Sequence, residues 1–202
     1  MTQKWKFSII LFSFLFSFPA VAQEPGGPDK SQLMITNVSI GEDNLETLQR
    51  KLGGTKLCHT KEHVAVAGYR NFEEELVFEF SEVGGGDVTA FYIKPTGKPF
   101  SCPLTDLKSH SLRFRTEGGT HLGMTEQEFV KLFGEPKVKL KGGNWNYHWA
   151  WTRTLTEKEK SRVLLASPGY TVSDKAEVSI SVEARFFNGL LCYFYISKLE
   201  VS

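Results

Sequence analysis

Only a few residues of this chain have the type and spacing that reaction chemistry needs. Cys58, His59 and His63 bring one thiol and two imidazoles within six residues, the ligand types zinc favours. A structural zinc site takes four ligands, and no second cluster of such residues follows. His110, His121 and His148 are scattered, no serine lies in a nucleophile-elbow motif, and no carboxylates are paired at a spacing suited to acid–base work. The glycines at 84–86 and 118–119 match no phosphate-binding loop. Glu73-Glu74-Glu75 reads as a solvated entry to a strand. Catalysis therefore has little support, and neither a metal nor a cofactor is expected.

Recognition chemistry is better represented. Trp145, Tyr147, Trp149 and Trp151 alternate with other residues, and successive side chains of a strand point to opposite faces, so these four rings stand in one row. Each can bury about 150–250 Å² and carries a polar tip on an apolar body, which suits a core and a protein-binding face equally. Two readings follow, a row that is core or a platform in which at least two rings meet a partner. His148 lies opposite the row.

The amino terminus bears on compartment. Lys4 and Lys6 flank Trp5, residues 7–18 are apolar apart from serines, and Pro19-Ala20-Val21-Ala22 supplies a small-x-small cleavage pattern. Residues 1–22 therefore read as a secretory signal peptide, too short to span a membrane, with Gln23 as the first mature residue. No cysteine follows that could take a lipid. The expectation is a periplasmic or secreted protein that is not inserted in a membrane after cleavage. Loss of residues 1–22 removes two lysines and no acid, leaving 22 basic against 23 acidic side chains and moving the formal charge from +1 to −1. Near-neutrality without a basic cluster argues against nucleic acid as a partner.

In an oxidising compartment three cysteines suggest one disulfide and one remaining thiol. Cys58 follows a helix and Cys102 sits in a Pro-containing connector, whereas Cys192 lies in the apolar run 190–196. Cys58 and Cys102 are the expected pair, with three reduced, packed cysteines as the alternative.

The elements that must position these residues fall into two halves. Thr125 and Glu128 form a capping box, Met124 and Phe129 a hydrophobic staple, and Gly134 with Pro136 ends a short helix whose apolar side is Phe129, Leu132 and Phe133. Upstream, an Asp43/Asn44 cap and Gly53 enclose a similar helix bearing Leu48 and Leu52. Strand-like runs follow at 64–69, 76–80 and 88–93, then at 144–151, 178–187 and 190–199. Asn188-Gly189 joins the last two as a tight hairpin. Pairing Phe187 with Leu190 places Val178, Ile180, Val182, Ala184 and Phe186 on one face with Leu191, Tyr193, Tyr195 and Leu199.

The stretch Gly-Met-Thr-x-x-Glu-Phe-x-x-x-Phe-Gly-x-Pro from Gly123, followed by an aromatic strand and a strand hairpin, resembles the repeat unit of the β-lactamase-inhibitor-protein-like (BLIP-like) superfamily, which includes outer-membrane assembly lipoproteins of the SmpA/OmlA type. The likeness covers residues 118–202 well and 35–94 more loosely. It implies an α+β fold of two tandem helix-plus-antiparallel-sheet repeats, helices on one sheet face and a concave opposite face that grips a partner protein through aromatic side chains. The chain departs from the pattern in lacking a lipidated cysteine and in an insert at 153–175 containing a helix near 156–166.

The expected organisation is a signal peptide (1–22), a disordered segment (23–34), a first repeat half (35–97), a connector (98–111) and a second half (112–202). The expected function is that of a non-enzymatic protein-binding or inhibitory module of the cell envelope, with Trp145, Tyr147, Trp149 and Trp151 as contact residues. A small-ligand or cell-wall-fragment binder, or an envelope assembly factor, is the alternative.

Overall fold

The computed structural model describes residues 27–60, 64–81, 86–97, 102–107, 113–166 and 173–201. The expected signal peptide, residues 1–22, lies outside them, as does His63. Among the described residues eleven strands and three α-helices follow in order: β1 (Met34–Ile35), β2 (Val38–Ser39), α1 (Leu45–Leu52), β3 (Cys58–His59), β4 (Ala65–Arg70), β5 (Glu74–Phe80), β6 (Val88–Pro95), β7 (Leu104–Asp106), α2 (Glu126–Phe133), β8 (Val138–Leu140), β9 (Asn144–Thr154), α3 (Glu157–Ala166), β10 (Lys175–Phe187) and β11 (Leu190–Val201).

The expected α+β arrangement of two tandem helix-plus-sheet repeats is corrected by this topology. The fold is mostly β, and its centre is one large sheet in the order β3-β4-β5-β6-β11-β10-β9-β8, with β7 pairing alongside β4. Early and late strands meet where β6 pairs with β11, from Ile93↔Phe194 to Ala90↔Ser197. The physical reason is that β6 and β11, left at the rims of separate halves, would each expose a row of unpaired backbone groups, and their mutual pairing covers both.

Local chemistry explains the helices. In α2 the Thr125 hydroxyl accepts from the Glu128 N–H, the Glu128 carboxylate accepts from the Thr125 N–H at 2.7 Å, and Gly134 closes the helix at φ 76°. Asn44 and Thr47 cap α1 reciprocally. Leu48, Phe129 and Phe133 belong to the main core with Phe78, Phe91, Ile180, Val182, Phe194 and Ile196. Phe129 is its aromatic hub, 4.5 Å from Phe133, 5.6 Å from Phe186 and 6.0 Å from Phe194 between ring centroids.

The β10–β11 hairpin turns at Asn188 and Gly189 with φ of 52° and 76°, the left-handed values that this turn requires. Its register corrects the expected face assignment. Phe186 pairs with Leu191 but Arg185 pairs with Tyr193, so Cys192 is an extra residue, a β-bulge. Beyond it the alternation is displaced by one. Phe194 and Ile196 enter the core, while Tyr193 and Tyr195 turn to the other face.

That other face carries a smaller core of Val66, Val77 and Cys102, backed by Cys58, Val64, Tyr92 and Leu104. Cys58 and Cys102 are joined by a disulfide, with Cα atoms 6.0 Å apart and a sequence separation of 44. The bond ties β3 to the segment leading into β7, and both strands lie along β4. Cys192 is free.

Two further expectations are corrected. Part of the segment expected to be disordered, residues 23–34, is ordered, because Lys30–Leu33 forms a 3-10 turn. Buried Gln32 accepts from the Thr116 and Thr120 hydroxyls at 2.8 and 2.7 Å and donates to the Gly118 carbonyl at 2.9 Å. Glu74 and Glu75 are 4% and 3% exposed rather than solvated. Glu74 accepts from the Phe114 N–H, and Glu75 pairs with Lys94 at 2.8 Å. In the insert, Thr156 and Glu159 cap α3, and Arg153 bridges Glu159 and Glu200, fastening the helix to β9 and β11.

Candidate binding face

The four ring positions singled out from the sequence do stand in one row of β9, on the core side of the sheet. Trp145 and Tyr147 are only 5% and 3% exposed, so for these two the platform reading is corrected: they are core. Trp145 lies 6.4 Å from Phe129, and the Tyr147 hydroxyl donates to the Gly134 carbonyl at 3.0 Å, bracing the end of α2. Trp149 and Trp151 are partly buried against the same core. Trp149 stacks on Tyr147 with centroids 5.5 Å apart, and Gly27 lies against the Trp151 ring. The row ends up where the helix-side core needs volume.

The opposite face holds a group of residues that sequence reasoning missed. Cross-strand register places Val77, Tyr92, Tyr195, Glu183 and Asn146 in one line across five strands. A parallel line runs through Glu79, Ala90, Ser197, Ser181 and His148. Tyr92 and Tyr193 stack with centroids 6.0 Å apart, and the Arg185 guanidinium sits 4.5 Å above the Tyr193 ring while pairing with Glu183 at 2.7 Å. The Tyr195 hydroxyl donates to Glu79 Oε2 at 3.4 Å. To reach it the phenol passes over Ala90, which is 1% exposed. His148 and Ser181 are joined at 3.1 Å at the far end of the second line.

Burial dominates the electrostatics of this face. It raises the Glu79 carboxyl above the ordinary glutamate value, an effect the Tyr195 hydrogen bond opposes. Burial also raises the phenols of Tyr92, Tyr193 and Tyr195, assisted by the negative charge of Glu79 on each of them. All three rings stay protonated and partly exposed, amphipathic groups fixed on central strands.

One signal in the sequence was available. Tyr92 alternates with Phe91 and Ile93, and Tyr193 and Tyr195 alternate with Phe194 and Ile196, so each strand has a phenolic side and a purely apolar side. The bulge at Cys192 hid which of the two faced the core.

For chemistry, the disulfide removes Cys58 as a thiolate ligand. Among the described residues no group of three or more His, Cys, Asp or Glu side chains converges as a metal site. A cleft of about 360 Å³ opens between Arg70, Asn71, Phe72, Thr96 and Asp106, and no residue of the β9 row lines it. Among the described residues no helix is long and apolar enough to cross a membrane. No protein-family model matches this chain, and no curated protein or solved structure matches it either.

Proposed function

We propose that this chain is an exported, non-enzymatic binding protein of the cell envelope, and that it recognises a partner protein through the tyrosine face formed by β6, β11 and β10. The observation that carries the reading is the set Tyr92, Tyr193 and Tyr195 with Arg185, held part-exposed on central strands. Tyrosine and arginine are the residue types that dominate binding hot spots, since each offers contact area together with hydrogen bonding. Strands paired on both sides hold the rings in place before a partner arrives, which reduces the entropy lost on association. The half of the β9 row that is not core, Trp149 and Trp151, borders the helix side and belongs to a different surface.

The test is site-specific photo-cross-linking in the native host, with a benzophenone side chain at position 193, 195 or 151, followed by reciprocal capture of the cross-linked protein. A single adduct from 193 and 195 is expected, formed outside the cytoplasm by a chain that begins at Gln23. Adducts from 151 alone would move the surface to the β9 side, and a cytoplasmic chain retaining residues 1–22 would overturn the exported role.

A further inference from the structure

The tyrosine face contains one complete ion-binding arrangement and one incomplete arrangement of the same kind. In the complete one, the Arg185 guanidinium lies over the Tyr193 ring at 4.5 Å and is neutralised by Glu183 at 2.7 Å. A cation over an aromatic ring is attracted by the negative ring face, and a carboxylate beside it adds charge pairing. A few ångströms away, Glu79 lies with Tyr195 and Tyr92, again a carboxylate beside phenolic rings. Here the third component is lacking among the described residues. The described partner of the Glu79 carboxylate is the Tyr195 hydroxyl at a long 3.4 Å, and no lysine or arginine among the described residues is paired with it. The neighbouring acid on β5, Glu75, is by contrast matched by Lys94 at 2.8 Å.

Resting on the binding reading above, we propose that the corner formed by Glu79, Tyr92 and Tyr195 receives a basic side chain, lysine or arginine, from the partner protein. Charge complementarity argues for this occupant: of the three acids on this stretch of the sheet, Glu75 and Glu183 are paired with a cation among the described residues and Glu79 is not. Small residues continue the line from Glu79, Ser197 on β11, which hydrogen-bonds Tyr195, and Ser181 on β10, so no bulky side chain stands in that line between Ala90 and His148. An incoming ammonium or guanidinium would exchange the single long hydrogen bond at Glu79 for a charge-assisted one, which is shorter and stronger.

The proposal can be tested without knowing the partner. Mature protein carrying ¹³C-labelled tyrosine rings is titrated with N-acetyl-arginine amide, N-acetyl-lysine amide and, as the neutral control, N-acetyl-glutamine amide, with ring signals assigned from single Tyr→Phe variants. Saturable shifts of Tyr92 and Tyr195 are expected with the two cations and none with the neutral amide. Glu79→Gln keeps an acceptor for the Tyr195 hydroxyl and should weaken cation binding at least about tenfold, whereas Glu183→Gln should leave it nearly unchanged. Ser197→Lys, which places an internal ammonium about two strand spacings, roughly 10 Å, from Glu79, should compete with the probes even if Glu79→Gln folds poorly. Equal shifts with all three probes, or undiminished binding in Glu79→Gln, would overturn the cation site. If cross-linking through position 193 persists in that event, the face still binds a partner and only its charge preference was misread. Cation binding with no cross-link from 193 or 195 would instead remove the partner reading.

Discussion

The β9 row and the tyrosine face are two sets of aromatic side chains on opposite sides of one sheet, and they serve opposite ends. On the helix side, Trp145 and Tyr147 are enclosed by Phe129, Phe133 and Phe186, and the Tyr147 hydroxyl is used within the fold. On the other side Tyr92, Tyr193 and Tyr195 stand among glutamates and an arginine and retain access to water. Ring count and spacing do not separate the two sets. Neighbours do: a ring surrounded by apolar groups supports the fold, and a ring with charged neighbours and a free edge is available to something else.

Truncation should separate them most sharply. Trp145→Ala and Phe129→Ala should each cost about 3–5 kcal/mol in denaturant melts, because each empties a large volume in the main core. A loss under about 1 kcal/mol for either would mean that the helix side is not the principal core. Removing the disulfide by Cys58→Ala with Cys102→Ala should cost about 2–4 kcal/mol through the loop it closes. The tryptophan emission of the folded double variant should stay unchanged, since the three tryptophans of residues 27–201 lie on the sheet face away from that bond. Once a partner has been cross-linked, Tyr193→Ala should weaken its binding by about 2 kcal/mol or more, with a smaller stability loss than Trp145→Ala. The reverse ranking, measured by calorimetry and melts on the same samples, would assign Tyr193 to the fold.

The smallest effect concerns pH. The Glu79 carboxyl is raised in the folded state above the ordinary glutamate value, so the folded protein holds a proton that the unfolded chain releases. Stability from this group is therefore present at low pH and declines as pH rises from about 4.5 through the folded value. Glu74, raised by its own burial, adds to the same slope. Melts of wild type and Glu79→Gln across pH 4–7 should show the variant gaining on wild type as pH rises. A difference that shrinks with rising pH would mean that Glu79 is stabilised as a carboxylate.

Features decided within a few residues were legible in the sequence. The Thr125/Glu128 box, the Gly134 stop and the Asn188-Gly189 turn rest on local chemistry and are present in the fold, as is the longer-range Cys58–Cys102 bond, whose partners were indicated by the segments that hold them. What depended on distant pairing was not legible. The union of β6 with β11 joins residues about a hundred positions apart, and without it the chain reads as two separate sheets. Glu74 and Glu75 look solvated until Phe114 and Lys94 are seen beside them. The candidate site failed for a similar reason. Strict alternation from the turn counts Cys192 as a paired residue and so places Tyr193 and Tyr195 on the core face.

That extra residue also bears on how such a protein can change over generations. Substitutions alter the tyrosine face one ring at a time, leaving intermediates that selection can grade. Loss of the codon for Cys192 would leave Leu191 opposite Phe186 and Tyr193 opposite Arg185, so β11 would pair without a bulge while Tyr193 and Tyr195 kept the outer face and Phe194 and Ile196 the core. One residue of length can therefore be lost there without reversing either face. At this point of the strand, length is accordingly a looser inheritance than the alternation of residues on either side of it.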